Sequence, residues 1–303
     1  MIHLNLKLNI KLKPEFFCCL LFVMISLITS IVLVNLYSIK KQVITVWMPL
    51  PDSMTEQDAQ STFERLTDHF EELYPGFGIA LSIYDETAWT AVSVSSDPEE
   101  FPVMWINLPE EVEIPKADLS EIFQRLDSAY YIPDLLEFSE SPDQIPLSWN
   151  IPVVYSSDLE HKGKIIDKSN LPADSQNSDP DTDLNAFLEN PQNPIVSDSS
   201  RLAIIEHTPR TSGAVCMIPV TENNLFEIQY QDYCVIHADA DKNSQKIAAL
   251  WIGYLLSEQA QQILYTEHYG NFPVQKSALS ETFSRHQALS VIADLASARG
   301  DFL

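Results

Sequence analysis

The run from Val43 to Asp85 constrains the fold more tightly than any other part of the chain. "VITVWM" (Val43–Met48) is β-branched and aromatic and predicts a buried strand. After the loop "MPLPDSM" comes "TEQDAQSTFERLTDHFEELYPG", in which Phe63, Leu66, Phe70 and Leu73 fall on one face of a helix. Pro75-Gly76 stops that helix, and "FGIALSIYD" predicts a second strand. Two strands joined through a helix cannot form a hairpin; the crossover implies parallel neighbours and an α/β fold.

The rest of the chain extends this pattern. "FPVMWINL" (Phe101–Leu108) predicts a third strand, and Asp85 to Pro102 leaves little room for a full helix before it. "LSEIFQRLDSAY" predicts a helix with Leu119, Ile122, Phe123 and Leu126 on one face. "IPLSWNIPVVYSSDL" (Ile145–Leu159) is extended, because its prolines forbid a helix interior. From Glu160 to about Ser200 the chain turns polar, acidic and rich in Pro and Asn. This segment reads as a linker, a disordered stretch or a loosely built subdomain, with one short helical candidate at Asp183–Leu188. "RLAIIEH" and "AVCMIPV" predict strands, and "LFEIQYQDYCVIHA" predicts one long strand or two short ones. A helix through "WIGYLLSEQAQQIL" and a final amphipathic helix, "SETFSRHQALSVIADLASAR", complete the pattern.

The N-terminal segment bears on location. Phe16 to Ile39 carries no charge, which at about 1.5 Å per residue is long enough for a bilayer core of about 30 Å. Three lysines precede it and two follow, it lacks an A-x-A cleavage pattern, and Cys18 and Cys19 lie at the wrong end for a lipobox. The expectation is a cytoplasmic tail over 1–15, an uncleaved transmembrane signal anchor over 16–39, and an extracytoplasmic domain over 43–303. That makes the protein a single-pass protein of the cell membrane. The net charge is −25, and residues beyond 41 hold 13 basic against 42 acidic side chains. Such a surface repels phosphate backbones and excludes nucleic acid as a partner. In that compartment Cys216 and Cys234 are a candidate disulfide; two buried free thiols are the other reading.

Four stretches resemble the extracellular solute-binding proteins of bacterial ABC importers, in their sugar-binding branch. They are "ITVWMPLPDSMTEQDAQSTFERLTDHFEELYPGFGIAL", "PVMWIN", "IPLSWNIPVVYSSDLEHKG" and "DKNSQKIAALWIGYLLSEQAQQIL" with "GNFPVQKSAL". The resemblance implies a periplasmic-binding-protein-like α/β fold with two lobes. The first, parallel-stranded, would take about 43–145 and 245–303. The second would take about 150–240 and is reduced, since some forty polar residues stand where the family carries a larger helical lobe. Tyr155-Ser156 replaces the family's Tyr-Asn pair, and Val103 its aspartate. In the family the closing helix is architectural. Leu255, Leu256, Ile263 and Leu264 would be its buried stripe, and Gln259, Gln261 and Gln262 its outer, polar part.

The resemblance also implies a function. The protein would bind a carbohydrate or another small solute by lobe closure, for an ABC permease or a membrane signalling partner. A different reading is a degenerate domain of the same fold acting as an interaction or scaffold module at the membrane surface. The family layout puts a cleft at the carboxyl ends of the strands. The candidate ligand residues are then Trp47, Met48, Asp85, Trp105, Trp149, Asn150 and Tyr155, with Pro49 and Asn107 beside them. Trp149 and Asn150 lead this set, because a polar crossing segment flanked by prolines is expected to stay exposed. Trp251 is expected in the core. No catalytic motif stands in the chain, so no enzyme activity and no cofactor are expected. "DADKNS" and "DPDTD" alternate oxygen ligands but lack the glycine and glutamate of a calcium loop, so no metal is expected.

Overall fold

The computed structural model describes residues 22–26, 29 and, with breaks of at most eight residues, 41–292. Residues 1–41 and 42–303 form separate compact units. In the first, Phe22–Ser26 and Thr29 are helical, and Phe22, Val23, Met24 and Ile25 are exposed. Among the described residues no helix is long and apolar enough to cross a membrane. The expected span, Phe16–Ile39, lies mostly outside them.

The second unit begins with the expected strand–helix–strand. Strand β1 (Gln42–Pro49) pairs in parallel with β2 (Phe77–Tyr84) over its whole length. Between them, helix α1 (Glu56–Leu73) starts at Thr55, whose hydroxyl accepts the Asp58 N–H at 3.2 Å. It buries Ala59, Thr62, Phe63, Leu66 and Phe70; Leu73, expected in the stripe, is exposed at the last turn. The room between β2 and the third strand is larger than expected. Asp85 Oδ1 accepts the Ala88 N–H at 2.8 Å and starts helix α2 (Glu86–Ser95). Strand β3 (Met104–Ile106) then pairs in parallel with β1. The helix expected near residue 120 shortens to one turn, α3 (Ser120–Phe123). Beyond it Arg125 and Leu126 donate to the carbonyls of Ile122 and Phe123, three residues back, so the coil tightens into turns.

The first sheet is completed by β4 (Ile145–Asn150), β10 (Gln229–Ile236) and β11 (Phe272–Pro273), in the order β11-β4-β10-β3-β1-β2. Strand β10 is antiparallel to both β3 and β4, and β11 is antiparallel to β4. The sheet is therefore mixed, not wholly parallel: β1 to β4 run one way, and the strands that return from the second sheet run against them.

The chain leaves the first sheet at Ile151. Strands β5 (Pro152–Ser156), β6 (Ile166–Asp167), β7 (Ile195–Asp198) and β8 (Cys216–Glu222) form a second sheet in the order β6-β8-β5-β7, with β9 (Leu225–Phe226) on β8. The polar segment supplies β6, β7 and helix α4 (Pro180–Glu189), which buries Leu184 and Phe187. "RLAIIEH" is not a strand. Asp198 Oδ1 accepts the Ser200 N–H at 2.8 Å, a 3₁₀ turn follows, and helix α5 (Leu202–His207) buries Leu202 and Ile205 at helical spacing.

The chain then returns to the first sheet. Helix α6 (Lys242–Leu255) starts at Asp241 and packs on β1 and β10; Trp251 is in the core, as expected. A short helix, α7 (Glu258–Gln261), runs into a π-helical turn over Gln262–Thr266, and β11 leads to helix α8 (Lys276–Arg285). Leu255, Leu256 and Leu264 are buried. Gln261 is not outward. It is fully buried, donating to the Leu147 and Leu255 carbonyls at 3.1 and 3.0 Å and accepting the Val274 N–H at 2.9 Å. The kink between α6 and α7 turns it inward, where it satisfies three main-chain groups that neither helix nor sheet would reach.

Candidate functional site

Most of the expected ligand residues are buried. Trp149 is wholly buried; its indole N–H donates to the Pro273 carbonyl at 2.9 Å and its ring lies 4.7 Å from that of Phe272. Asn150 is buried beside it. The crossing segment is not exposed because it is paired on both sides: Trp149 stands between Tyr230 of β10 and Phe272 of β11. Tyr155, also buried, donates to the Asp198 carbonyl at 3.0 Å and so joins β5 to β7. Trp105 is fully buried on the other face of the sheet, with Trp47, Trp89 and Phe101 edge-on at 5.2, 5.6 and 5.5 Å. Trp47 is half-buried in that cluster. Asp85 is exposed and caps α2. Cys216 and Cys234 are buried thiols not joined in a disulfide, one in each sheet. The Cys216 thiol donates to the Asp158 carbonyl at 3.3 Å, and burial, then the Asp232 charge, pushes the Cys234 thiol well up.

Two of the expected residues do meet others. Met48 lies at the carboxyl end of β1, and Asn107 follows β3. Together with the end of β4 they surround Asp232, which lies mid-strand in β10. The Asp232 carboxylate accepts from Asn107 Nδ2 at 3.2 Å, from the Ser148 hydroxyl, from the Tyr265 hydroxyl at 3.1 Å and from Asn271 Nδ2 at 3.4 Å. Asn107 is held in turn: its N–H donates to the Tyr233 carbonyl at 2.8 Å, and its Oδ1 accepts the Tyr233 N–H at 2.9 Å. Asn107 and Asp232 have φ of 58° and 55°, the left-handed region that side chains rarely adopt outside turns. Burial, with the adjacent carboxylate, keeps the Tyr265 phenol protonated by pushing its pKa well up.

This cluster faces a cavity of about 30 Å³ lined by Met48, Met54, Leu264, Asp232, Tyr265 and Asn271, among others. Met48 and Ile106 bring in the carboxyl ends of β1 and β3, where open α/β sheets place their ligands; the rest of the lining comes from the loop after β1, helix α1, β4, β10, the π-helical turn and Asn271. Sequence reasoning missed Ser148, Asp232, Tyr265 and Asn271. One signal was available: in "QYQDYCVI" a carboxylate interrupts a strand that is otherwise aromatic and apolar toward its end.

No family model matches the sequence, and no curated protein does. Solved structures do. The maltodextrin-binding protein MalE1 of L. casei, without ligand, is 12% identical with a TM-score of 0.56, over 84% of this chain and 86% of that one. An ABC substrate-binding protein of Listeria monocytogenes, in complex with cycloalternan, is 11% identical with a TM-score of 0.59, over 86% and 87%. A Trichodesmium protein in complex with iron and citrate is 12% identical with a TM-score of 0.53, over 84% and 99%. This is a periplasmic-binding-protein-like fold. In this chain its two sheets are joined through Ile151 and through the segment between β9 and β10.

Proposed function

We propose that this is a membrane-anchored, extracytoplasmic solute-binding protein whose solute docks at the Asp232 cluster and is covered when the second sheet swings about the two crossings. It serves an ABC importer or a membrane sensor, and no covalent chemistry is involved. One observation carries the reading: donor side chains from four separate segments converge on the Asp232 carboxylate, and Asp232, Tyr265 and Asn271 line a cavity beside the carboxyl ends of β1 and β3. The uncharged run from Phe16 to Ile39 and the exposed apolar face of Phe22–Ile25 support the anchor. Carbohydrate is the first class to try, since two of the three compared structures carry carbohydrate names.

A second reading, a scaffold module of the same fold, is favoured by the cavity's size. About 30 Å³ is an order of magnitude below the roughly 300–1,000 Å³ of small-molecule sites. Thermal melting of the full chain in nanodiscs against mono- and oligosaccharides and ferric citrate separates the two. A solute raises the transition by RT ln(1+[L]/Kd). A flat panel leaves only the scaffold. Retention of the chain in the membrane pellet after alkaline carbonate extraction tests the anchor, and release would remove it.

A further inference from the structure

The next step rests on the solute-binding reading and narrows the solute. Among the described residues lining the cavity there is one carboxylate, Asp232, and no Lys, Arg or His. The four donors on that carboxylate, from Asn107, Ser148, Tyr265 and Asn271, are all neutral. Three of them crowd Oδ2 and Asn107 alone reaches Oδ1, so they fix the carboxylate's position, leave an acceptor site on Oδ1 and supply no compensating charge. A partly buried charge without a counter-charge is costly, and a cation relieves that cost where a neutral donor does not.

The neighbouring amide adds a second acceptor. Oδ1 of Asn271 is buried, and no described residue donates to it. Its orientation is set by Nδ2 pointing at Asp232; the flipped amide would place oxygen against oxygen. The backbone gives the third observation. Asp232 and Asn107, both in left-handed conformation, are bonded to each other. Strain of this kind persists where the surroundings over-determine it, and it clusters at ligand sites. Finally, Met48, Pro51, Met54 and Leu264 make the rest of the wall apolar. A volume of about 30 Å³ holds a group of one or two heavy atoms, given the roughly 10–15 Å³ that a water needs.

We propose that the cavity takes a primary ammonium group of the solute, with Asp232 and Oδ1 of Asn271 as its acceptors and the methionine–leucine wall against the adjoining carbon. An amino sugar and an aliphatic diamine both present this group. The test is calorimetric titration of the full chain in nanodiscs at pH 6.5, where amines are protonated. The ligands are glucosamine, its neutral isostere glucose, and 1,4-diaminobutane. Glucosamine is expected to bind about tenfold more tightly than glucose, the increment of a charged over a neutral hydrogen bond. A response to 1,4-diaminobutane as well marks the bare amine as sufficient; a response to glucosamine alone marks an amino sugar. Asp232→Asn, which keeps the shape and removes the charge, is expected to abolish the preference for glucosamine over glucose. If that variant does not fold, the wild-type pair still decides. Glucose binding as tightly as glucosamine, or a neutral sugar binding while both amines fail, overturns the ammonium and leaves the solute-binding reading. Failure of every solute overturns both.

Discussion

Gln261 supplies the sharpest test of how the first sheet is held together. Its amide joins the carbonyls of Leu147 in β4 and Leu255 in α6 to the N–H of Val274 beside β11. Replacing it with leucine keeps the volume and apolar packing but strands these groups in a fully buried site. An unsatisfied buried donor costs about 1–3 kcal/mol, and the carbonyls, with a second lone pair each, cost less. The expected loss is about 2–4 kcal/mol, or about 5–15 °C in Tm for a domain of this size. Urea melts of Gln261→Leu and Gln261→Glu should fall together, because a carboxylate cannot donate to the two carbonyls. Gln262→Ala, whose side chain donates to Glu258 on the surface, should move by about 0.5 kcal/mol or less. A Gln261→Leu midpoint within that margin of wild type would refute the bridging role.

Three further outcomes follow from the same geometry. Trp149→Ala should cost about 3–5 kcal/mol of stability, read by chemical denaturation, since its ring and its bond to Pro273 sit in the core. Burial lifts the Tyr254 phenol to about 12 and also pushes Tyr265 well up, so the folded state holds these protons more tightly than the unfolded one. Their stabilisation is whole below about pH 10 and is lost as pH rises past it, so melting temperature should fall steeply in alkali and less steeply in Tyr265→Phe. Cys216 and Cys234, both buried and not joined in a disulfide, should react with a thiol reagent only as fast as the protein unfolds; rapid labelling of Cys234 in native buffer would contradict its place in the sheet.

The sequence made the backbone legible wherever a single periodicity ruled. Phe63, Leu66 and Phe70 mark the helix between β1 and β2, and Trp251 the helix that packs beside it on the same face of the sheet. Local capping was the harder signal. Asp85 and Asp198 look like free acids in the sequence, yet each starts a helical segment by taking a main-chain N–H. Direction of pairing was hidden as well, because nothing local in "QYQDYCVI" says that β10 enters between β3 and β4 against both. The site was the least legible part. Asn107, Ser148, Asp232, Tyr265 and Asn271 are spread over more than a hundred and sixty positions and meet only through sheet order.

That separation bears on what the resemblance can carry. Trp149 and Gln261, both within the stretches that match the solute-binding pattern, serve main-chain groups: Trp149 holds Pro273, and Gln261 holds Leu147, Leu255 and Val274. Such residues hold the first sheet together whether or not a solute is bound. Asp232 lies outside those stretches. Its carboxylate takes the donors of Asn107, Ser148, Tyr265 and Asn271, and it does so from left-handed backbone, in mid-strand and beside a cavity. The motifs therefore report architecture, and Asp232, which ties four other segments together through its carboxylate, is the position on which the proposed solute is tested.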